Sequence, residues 1–258
     1  MYSVIIPSMG RIDFLNDLLE SIYKQTISPK EIIILLDKNE LCEQGVKNIH
    51  KIDTCKIIFC DKLNLSQKRN FGAAISYSDY LIFSDDDDIW EINKAELTIQ
   101  SLKNFQVVCH EYSKFGNSYQ KPKFIIGKRK KLINITYLLF GSNIFGGGSA
   151  IAALKEIVLA IPFNEKFKFC EDYDWWIRII LAEIKIEYLP VSLVKYRTHK
   201  KNMTSNYLEI FVYNIKIFKK IIYKSIILLL TFMIGSLRSM ISFIIKSIKL
   251  SSFKLINK

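Results

Sequence analysis

Short apolar runs that alternate with helical patterns are the feature that most constrains the fold of this chain. Four of these runs are predicted strands: Tyr2–Pro7, Glu31–Leu36, Lys56–Cys60 and Tyr80–Phe83. Helical patterns occupy residues 11–24, 41–50, 65–76 and 91–103. Apolar runs without polar alternation are typical of strands buried on both faces, and strands separated by helices form βαβ units. The sequence therefore predicts an α/β fold with a mixed, mainly parallel sheet flanked by helices.

Polar residues follow three of the predicted strands at their carboxyl ends. Pro7 and Ser8 close the first strand, Asp37 follows the second, and Asp85–Asp88 follow the strand that begins at Tyr80. The carboxyl ends of parallel strands meet at one edge of a sheet, and ligands of open α/β sheets bind outside that edge. We therefore expect these residues to face a single crevice.

The four consecutive aspartates Asp85–Asp88 concentrate negative charge at the end of a buried strand. Carboxylates this close repel one another, which favours a bound cation. A hard divalent ion such as Mg²⁺ or Mn²⁺ that bridges to a substrate phosphate is the natural candidate. The alternative interpretation is a solvated acidic turn before the next helix.

A second acidic cluster lies about 85 residues further along the chain. Glu171, Asp172 and Asp174 lead into an apolar helical pattern that contains Trp175 and Trp176. Acidic residues in a first helical turn are favoured by the helix dipole, so helix stabilisation is one interpretation. The other is a ligand site, because tryptophans beside acids suit the enclosure of a flat polar ligand such as a sugar. The two tryptophans also fit the core and the wall of a pocket.

Three smaller features have two interpretations each. Gly146–Gly148 favour either a loop whose backbone approaches a ligand or a flexible connection. The basic run Lys128–Lys131 suits either a solvated loop or the border of a phosphate-bearing acceptor. Tyr196–His199 are predicted in a loop after a strand at Ile184–Leu189, and a lone histidine is more often not a ligand than a ligand.

The net charge of +12 lies in the C-terminal quarter of the chain. Residues 195–258 carry 13 Lys and Arg against one acid, Glu209, whereas residues 1–194 are neutral. A neutral body argues against nucleic-acid binding and for a basic tail with its own partner. Five cysteines without CxxC pairs indicate reduced thiols, and the chain begins on a strand pattern, so we expect a cytoplasmic-facing protein.

The basic tail, residues 206–258, is predicted to be an amphipathic helical segment. Leu237 and Ile241 fall on one helical face, and Arg238 and Lys246 on another. The longest charge-free run, Ser225–Leu237, has thirteen residues, and about 20 are needed to span a bilayer. A basic amphipathic helix suits the inner surface of the cytoplasmic membrane, and the alternative is packing on the catalytic domain or on a second subunit.

Six motifs in a fixed order resemble glycosyltransferase family 2, a family of inverting enzymes with the GT-A fold. They are VIIPSMGR, a strand that ends at Asp37, KRNFGAA, YLIFSDDDDIW, EDYDWWIRI and YRTH. The resemblance implies a Rossmann-like GT-A domain over residues 1–205 that uses Mn²⁺ or Mg²⁺. It also implies a hexosyltransferase-like enzyme that moves a sugar from a nucleotide-diphosphate sugar to a hydroxyl of a glycan or lipid-linked acceptor. Synthesis of cell-surface polysaccharide or lipopolysaccharide is the expected setting.

The resemblance also implies roles for individual residues. The metal ligands would be Asp85 and Asp87 of a DxD motif, together with His199, and the catalytic base would be Asp172. The residues at the donor site would be Pro7, Ser8, Arg11, Asp37, Arg69, Asp85, Asp86 and Glu171. The acceptor side would include Gly147, Gly148 and Trp175. The segment Asp37–Glu40 departs from the family pattern of two acids followed by glycine and serine, which leaves the nucleoside contact there less defined.

Two other functions are compatible with parts of the sequence. A nucleotidyltransferase also uses acids and a metal, but it needs a phosphate loop rich in glycine and lysine near the first strand, which PSMGR lacks. A membrane-bound nucleotide-sugar-binding protein without transferase activity is the second alternative. The presence of both the DxD acids and the Glu171–Asp172 pair favours the enzyme.

Overall fold

A computed structural model describes residues 1–49, 54–116, 145–199, 203, 206–222, 233–238 and 240–241 of the 258-residue chain. The chain divides into two units, one of residues 1–127 and 145–200 and the other of residues 128–144 and 201–258. The first unit contains the sheet and all of the candidate site residues. The basic run at 128–131 lies outside the described residues, as do Lys246 and the end of the tail.

The strands of the first unit are β1 (Tyr2–Ser8), β2 (Glu31–Asp37), β3 (Cys55–Cys60), β4 (Tyr80–Phe83), β5 (Ile89–Trp90), β6 (Val107–Gly116), β7 (Ile151–Leu154) and β8 (Ile186–Thr198). The helices are α1 (Ile12–Tyr23), α2 (Glu40–Gly45), α3 (Leu65–Ile75), α4 (Lys94–Leu102), α5 (Lys155–Ala160) and α6 (Glu171–Leu181). Short 3₁₀ turns are formed by Val46–Asn48 and Gly148–Ala150.

These strands form one sheet in the order β3-β2-β1-β4-β7-β6-β8-β5. The first four are mutually parallel, which places the ends of β1, β2 and β4 at the same edge. Strand β7 runs antiparallel to β4 and β6, and β8 runs parallel to β6. The predicted α/β fold with a mixed, mainly parallel sheet flanked by helices is confirmed.

Helix α1 covers one face of the parallel half through a stripe of apolar side chains at helical spacing. Leu15, Leu18, Leu19 and Ile22 are fully buried in the cluster that also contains Val4 and Ile6 of β1 and Ile32 and Ile34 of β2. Burying a leucine or isoleucine side chain stabilises a fold by about 1.5–3 kcal/mol, so this face fixes α1 firmly on the sheet. The turn from β1 into α1 is thereby held over the edge where the aspartates follow β4.

Helix α3 packs on β1 and β2 and begins at the same edge of the sheet. Its first turn is closed by a capping box, in which the Asn64 side chain accepts from the backbone of Gln67 and the Gln67 side chain accepts from the backbone of Asn64. Gly72 allows the close approach, because a Cβ atom there would lie 2.6 Å from Ile5. The cap places Lys68 and Arg69 in the turn that faces the crevice.

The antiparallel half of the sheet differs most from the sequence-based prediction. Strands β5 and β7 and helix α5 were not predicted, and β6 extends seven residues beyond the predicted end at Cys109. Tyr196–Thr198 lie in β8 and not in a loop, because β8 continues to pair with β6 as far as Gly116. Helix α4 begins at Lys94, three residues later than predicted, because Ile89 and Trp90 pair with β8.

The described part of the second unit is helical. Helix α7 (Tyr207–Ile222) is followed by helical residues at 233–238 and 240–241, where the apolar side chains of Met233, Leu237 and Ile241 are exposed. Among the described helices, none is both long enough and apolar enough to cross a membrane. Attachment of the tail to a membrane surface stays a prediction.

Candidate active site

The crevice begins where β1 and β4 end side by side. Ser8, the last residue of β1, donates its hydroxyl to Oδ2 of Asp86 at 2.5 Å, and the backbone N–H of Met9 donates to the same oxygen at 3.1 Å. Asp86 is buried, so these two donors replace the water that its carboxylate loses. The DxD segment is thereby fixed to the first strand.

Arg11 crosses this segment and joins three predicted site residues. Its Nη2 pairs with Oδ1 of Asp86, and its Nη1 lies 2.6 Å from Oδ2 of Asp87. The same Nη1 lies 2.9 Å from Nε2 of His199, which in turn lies 2.9 Å from Oδ2 of Asp87. Burial and the charge of Asp85 raise the pKa of Asp87, while Arg11 and the hydrogen bond from His199 lower it. The structure therefore brings Arg11, Asp86, Asp87 and His199 together.

Arg69 forms the opposite wall and connects the two acidic motifs. Its Nη2 lies 2.8 Å from Oδ1 of Asp85, and its Nη1 lies 2.7 Å from Oε1 of Glu171. Burial by itself would lower the pKa of this guanidinium, but Asp85 and Glu171 raise it above the usual value. A guanidinium is planar and presents a fork of donors, which suits it to holding two carboxylates apart at fixed positions. Arg69 therefore sets the distance between the DxD segment and the start of α6.

The three consecutive glycines pass directly beside these charged groups. A Cβ atom on Gly148 would collide with the Arg69 guanidinium and lie 2.6 Å from Oδ1 of Asp85, and one on Gly147 would lie 3.7 Å from Oδ2 of Asp172. Gly146 has a φ of +84°, a backbone conformation that disfavours other residues. These contacts favour the interpretation in which the glycine backbone closely approaches the site.

Asp172 lies in the first turn of α6, just after a strained residue. Cys170 precedes the helix with a φ of 57°, which is uncommon for a residue with a side chain. Oδ1 of Asp172 accepts a hydrogen bond from the backbone of Tyr173 at 2.7 Å. Burial raises the pKa of Asp172 to about 7, Glu171 adds to the increase, and Arg69 opposes it. A carboxyl group whose pKa lies near neutrality is matched to general acid–base chemistry at neutral pH.

Lys68 connects the ends of β1 and β2 and was not predicted. Its Nζ lies 2.5 Å from Oδ1 of Asp37 and donates to the backbone carbonyl of Ser8 at 2.7 Å. Asp37 is therefore placed at the crevice by a buried lysine. Pro7 is buried within β1, where it pairs with Leu35 of β2. Arg69, the chain neighbour of Lys68, was predicted from the KRNFGAA motif. The position of Lys68 in the same first turn of α3 is the sequence signal that could have identified it.

A buried polar cluster behind the aspartates was also missed. Lys94 donates from Nζ to the carbonyl of Ser149 at 2.6 Å, and the Ser149 hydroxyl accepts from the backbone of Asp85 at 2.8 Å. Asp88 accepts a hydrogen bond from the backbone of Arg197 at 3.1 Å. Burial holds the pKa of Asp88 well above, and that of Lys94 well below, the usual values. The cluster positions the glycine turn and the DxD backbone and does not itself face the crevice edge.

The predicted position of Trp175 on the acceptor side is corrected by the structure. Trp175 is fully buried, donates from Nε1 to the carbonyl of Ile161 at 2.7 Å, and stacks on Phe163 with 5.0 Å between ring centroids. At a helical spacing of four residues it shares the core-facing side of α6 with the buried Ile179. The tryptophan therefore supports the start of α6 from within the core and is closed to an acceptor in this structure.

Residues 3–158 match the profile of Glycosyl transferase family 2, a stretch that covers more than half of the chain. The chain belongs to glycosyl transferase family 2. An uncharacterized glycosyltransferase of Haemophilus influenzae is 29% identical over 195 residues, which cover 70% of this chain and 62% of the relative. The UDP-Glc:alpha-D-GlcNAc-diphosphoundecaprenol beta-1,3-glucosyltransferase of Escherichia coli is 24% identical over 212 residues, which cover 80% of each chain.

The fold of this family 2 chain is also similar to solved structures. The mannosyltransferase of Pyrobaculum calidifontis in complex with GDP-Man and Mn²⁺ superposes with a TM-score of 0.65 at 13% identity, over 87% of this chain and 64% of that one. This likeness establishes a GT-A type sheet, as the motifs implied. The chain spans less than two thirds of the length of the Haemophilus relative.

The residues of this family 2 chain fit a divalent ion whose remaining ligands come from a substrate. Within the described ranges, no three His, Cys, Asp or Glu side chains converge in a way that would hold a metal. Two do face each other, Asp87 through Oδ2 and His199 through Nε2. Mg²⁺ in particular is commonly bound by one or two carboxylates plus substrate phosphates and water, and imidazole and carboxylate also suit Mn²⁺. These two protein ligands therefore fit an ion that binds together with a diphosphate.

Proposed function

We propose that this chain is an inverting glycosyltransferase that moves a sugar from a nucleotide-diphosphate sugar to a hydroxyl of a glycan or lipid-linked acceptor. The observation that best supports this is the position of Arg69 between Asp85 and Glu171. By pairing with both, the Arg69 guanidinium keeps the DxD aspartates and the start of α6 at the same crevice. A donor bound at the aspartates then lies within reach of a base at Asp172.

The donor side of the proposal uses the residues that line the ends of β1, β2 and β4. Ser8, Arg11, Asp37, Arg69 and Asp86 form the nucleotide-sugar site, with Glu171 orienting Arg69. The partly exposed Arg11 guanidinium at the edge of the site favours binding of a diphosphate, because a guanidinium matches phosphate oxygens in a bidentate geometry. The GDP-Man and UDP-Glc in the descriptions of similar proteins support a nucleotide-diphosphate sugar as the donor class.

Asp85, Asp87 and His199 would hold the metal in this proposal. A bound Mn²⁺ or Mg²⁺ supplies positive charge that stabilises the diphosphate leaving group. The Mn²⁺ in the complex of the Pyrobaculum calidifontis mannosyltransferase supports this choice of ion. The protein's own part is to orient the carboxylates, and the buried Arg69 does so at Asp85 by pairing with it.

Asp172 is the catalytic base of the proposed reaction. The acceptor hydroxyl transfers its proton to the Asp172 carboxylate as its oxygen attacks the anomeric carbon, and the bond to the diphosphate breaks in the same step. A single displacement inverts the configuration at that carbon. The near-neutral pKa of Asp172 means that the base is ionised from about pH 7 upward. General-base catalysis typically contributes about 10²–10⁴-fold to a rate.

The acceptor side of the proposal is the glycine turn. Gly147 lies against Asp172 without a side chain, so an acceptor hydroxyl can approach the base over its backbone. The Escherichia coli relative is named for a diphosphoundecaprenol-linked acceptor, which supports a lipid-linked acceptor here. A basic tail lying on the inner face of the cytoplasmic membrane would keep the enzyme near such an acceptor during cell-surface polysaccharide or lipopolysaccharide synthesis.

The first experiment is a thermal-shift screen of UDP-Glc, UDP-GlcNAc and GDP-Man with Mn²⁺ or with EDTA. A ligand at a hundred times its Kd stabilises the folded state by about 2.7 kcal/mol, so the correct donor should raise Tm only with Mn²⁺. That donor is then incubated with a GlcNAc-diphosphate lipid, and nucleotide release and the anomeric configuration of the product are measured.

Variants of the two motifs separate the enzyme from a non-catalytic binding protein. Asp172→Asn should bind the donor normally and release nucleotide at least a hundredfold more slowly. Asp87→Asn should lose the effect of Mn²⁺ on donor binding. Full turnover in either variant, with an unchanged circular dichroism spectrum, would refute the mechanism. Donor binding without turnover on glycan or lipid-linked acceptors would favour the binding protein.

A further inference from the structure

We propose that Arg11 is a positioning residue that occupies the place of the metal ion, so that a divalent ion and the donor diphosphate bind together and not separately. This inference rests on the proposed function, because it concerns the same metal and the same donor. It adds a role for one side chain and predicts an order of binding.

The first observation is the position of the Arg11 Nη1 atom. It lies 2.6 Å from Oδ2 of Asp87 and 2.9 Å from Nε2 of His199, the two atoms that face each other as candidate ligands. A cation ligated by both atoms would occupy the space that this nitrogen fills. The guanidinium therefore serves as the counter-charge of Asp87 in the structure described here.

The second observation is electrostatic. Two cations a few ångströms apart repel strongly near a protein surface, so Arg11 and a divalent ion cannot share this place. The incoming ion must displace the guanidinium, and the free energy of its two ion pairs opposes metal binding. A diphosphate removes this obstacle, since it adds ligands for the ion and gives the released guanidinium a bidentate partner.

The two arginines of the site differ in their freedom to move. The Arg11 side chain is 26% exposed, whereas that of Arg69 is 1% exposed and is clamped between Asp85 and Glu171. Asp86 keeps the hydroxyl of Ser8 and the backbone of Met9 as donors when Arg11 leaves. The buried Asp86 carboxylate therefore keeps hydrogen-bond partners when Arg11 is displaced. Displacement of Arg69, in contrast, would break the connection between the two acidic motifs.

The test measures Mn²⁺ binding by the loss of the free-ion electron paramagnetic resonance signal, with no turnover involved. The full-length wild type should bind Mn²⁺ weakly alone and at least tenfold more tightly with saturating UDP. Arg11→Met should bind Mn²⁺ alone at least tenfold more tightly than the wild type, because a charged hydrogen-bonded pair contributes about a tenfold change or more. Its affinity for Mn²⁺ should then depend much less on UDP.

The matched control is Arg238→Met, which removes one positive charge from an exposed residue of the second unit. It should bind Mn²⁺ like the wild type both with and without UDP. Arg11→Gln serves as a second variant with a neutral hydrogen-bonding side chain, in case Arg11→Met fails to fold. A purely structural role of Arg11 would weaken Mn²⁺ binding in these variants and would leave its dependence on UDP unchanged.

The outcomes separate this inference from the proposed function. If the wild type binds Mn²⁺ tightly with UDP but neither Arg11 variant gains affinity in its absence, the metal function stands and the role of Arg11 is wrong. If the wild type binds Mn²⁺ neither alone nor with UDP, GDP, UDP-Glc or GDP-Man, both proposals are overturned. If the wild type alone binds Mn²⁺ as tightly as with UDP, Arg11 does not oppose the ion.

Discussion

Replacing Asp172 by Asn should make the protein more stable while it slows the proposed sugar transfer at least a hundredfold. The pKa of Asp172 is about 7 in the fold against an ordinary value of 3.8. An acid whose pKa is raised on folding binds more protons in the folded state, so its contribution to stability is lost as the pH rises from 3.8 to 7. The full shift of about three units corresponds to about 4 kcal/mol above pH 7. An asparagine carries no such cost.

The magnitude can be followed with pH. From the same two pKa values, ionisation of Asp172 lowers the free energy of unfolding by about 2 kcal/mol at pH 5 and by about 4 kcal/mol at pH 8. The advantage of Asp172→Asn over the wild type should therefore grow by about 2–3 kcal/mol between these two pH values. This difference cancels every effect of the substitution that does not depend on pH.

The assay is urea unfolding monitored by tryptophan fluorescence, since Trp175 and Trp176 are fully buried beside Asp172. EDTA keeps both proteins free of metal, and Asp61→Asn, the same substitution at an exposed aspartate, serves as the matched control. An advantage of Asp172→Asn that is constant from pH 5 to pH 8 would mean that Asp172 is already ionised at pH 5. The assignment of a near-neutral base would then be refuted.

Three further substitutions test other contacts of the site. Gly148→Ala forces a methyl group against Arg69 and should cost about 1–3 kcal/mol of stability and weaken UDP-dependent thermal stabilisation; an unchanged unfolding midpoint would show that the turn relaxes freely. Arg69→Met should destabilise the fold by about 3 kcal/mol and move the pH midpoint of the transfer rate upward, because Arg69 lowers the pKa of Asp172; a midpoint that stays or falls contradicts this. Lys94 has a pKa well below that of a free lysine, so its burial costs more as the pH falls below 10.5, and Lys94→Met should gain stability relative to the wild type from pH 10 to pH 8 in urea unfolding. A difference that stays constant or changes in the opposite direction would show that Lys94 is charged in the fold.

The parallel half of the sheet could be predicted because its signal is local. Strands β1, β2 and β4 are continuous apolar runs that end in polar residues, and both the run and its end can be read along the chain. Strands β5 and β7 give no such signal. β5 has two residues, and β7 is the short segment IAAL, whose composition suits a helix as well as a strand. Both are strands because they form backbone hydrogen bonds with longer strands, β5 with β8 and β7 with β6.

The acids of the candidate site and the cationic residues that contact them could be named from the motifs, but the buried polar residues behind the aspartates could not. Charge density and motif order identify Asp85, Asp87 and Asp172 without knowledge of the fold. Lys94 and Ser149 contribute through contacts across the fold, and no local pattern distinguishes a buried lysine from an exposed one. Trp175 illustrates the reverse error, because an aromatic residue beside acids suits a sugar site, yet its position on the helix directs it into the core.

The burial of two lysines allows opening of this domain to be measured by amine acylation. Lys68 and Lys94 are enclosed while Lys56 and Lys195 lie at the surface, so an amine-acylating reagent reaches the second pair at once and the first pair only when the domain opens. Mass spectrometry of acylated peptides would then report separately on the Asp37 side of the crevice, through Lys68, and on the turn behind the aspartates, through Lys94. The same two amines that hold the site together would record, without any substrate, how often each side of it opens.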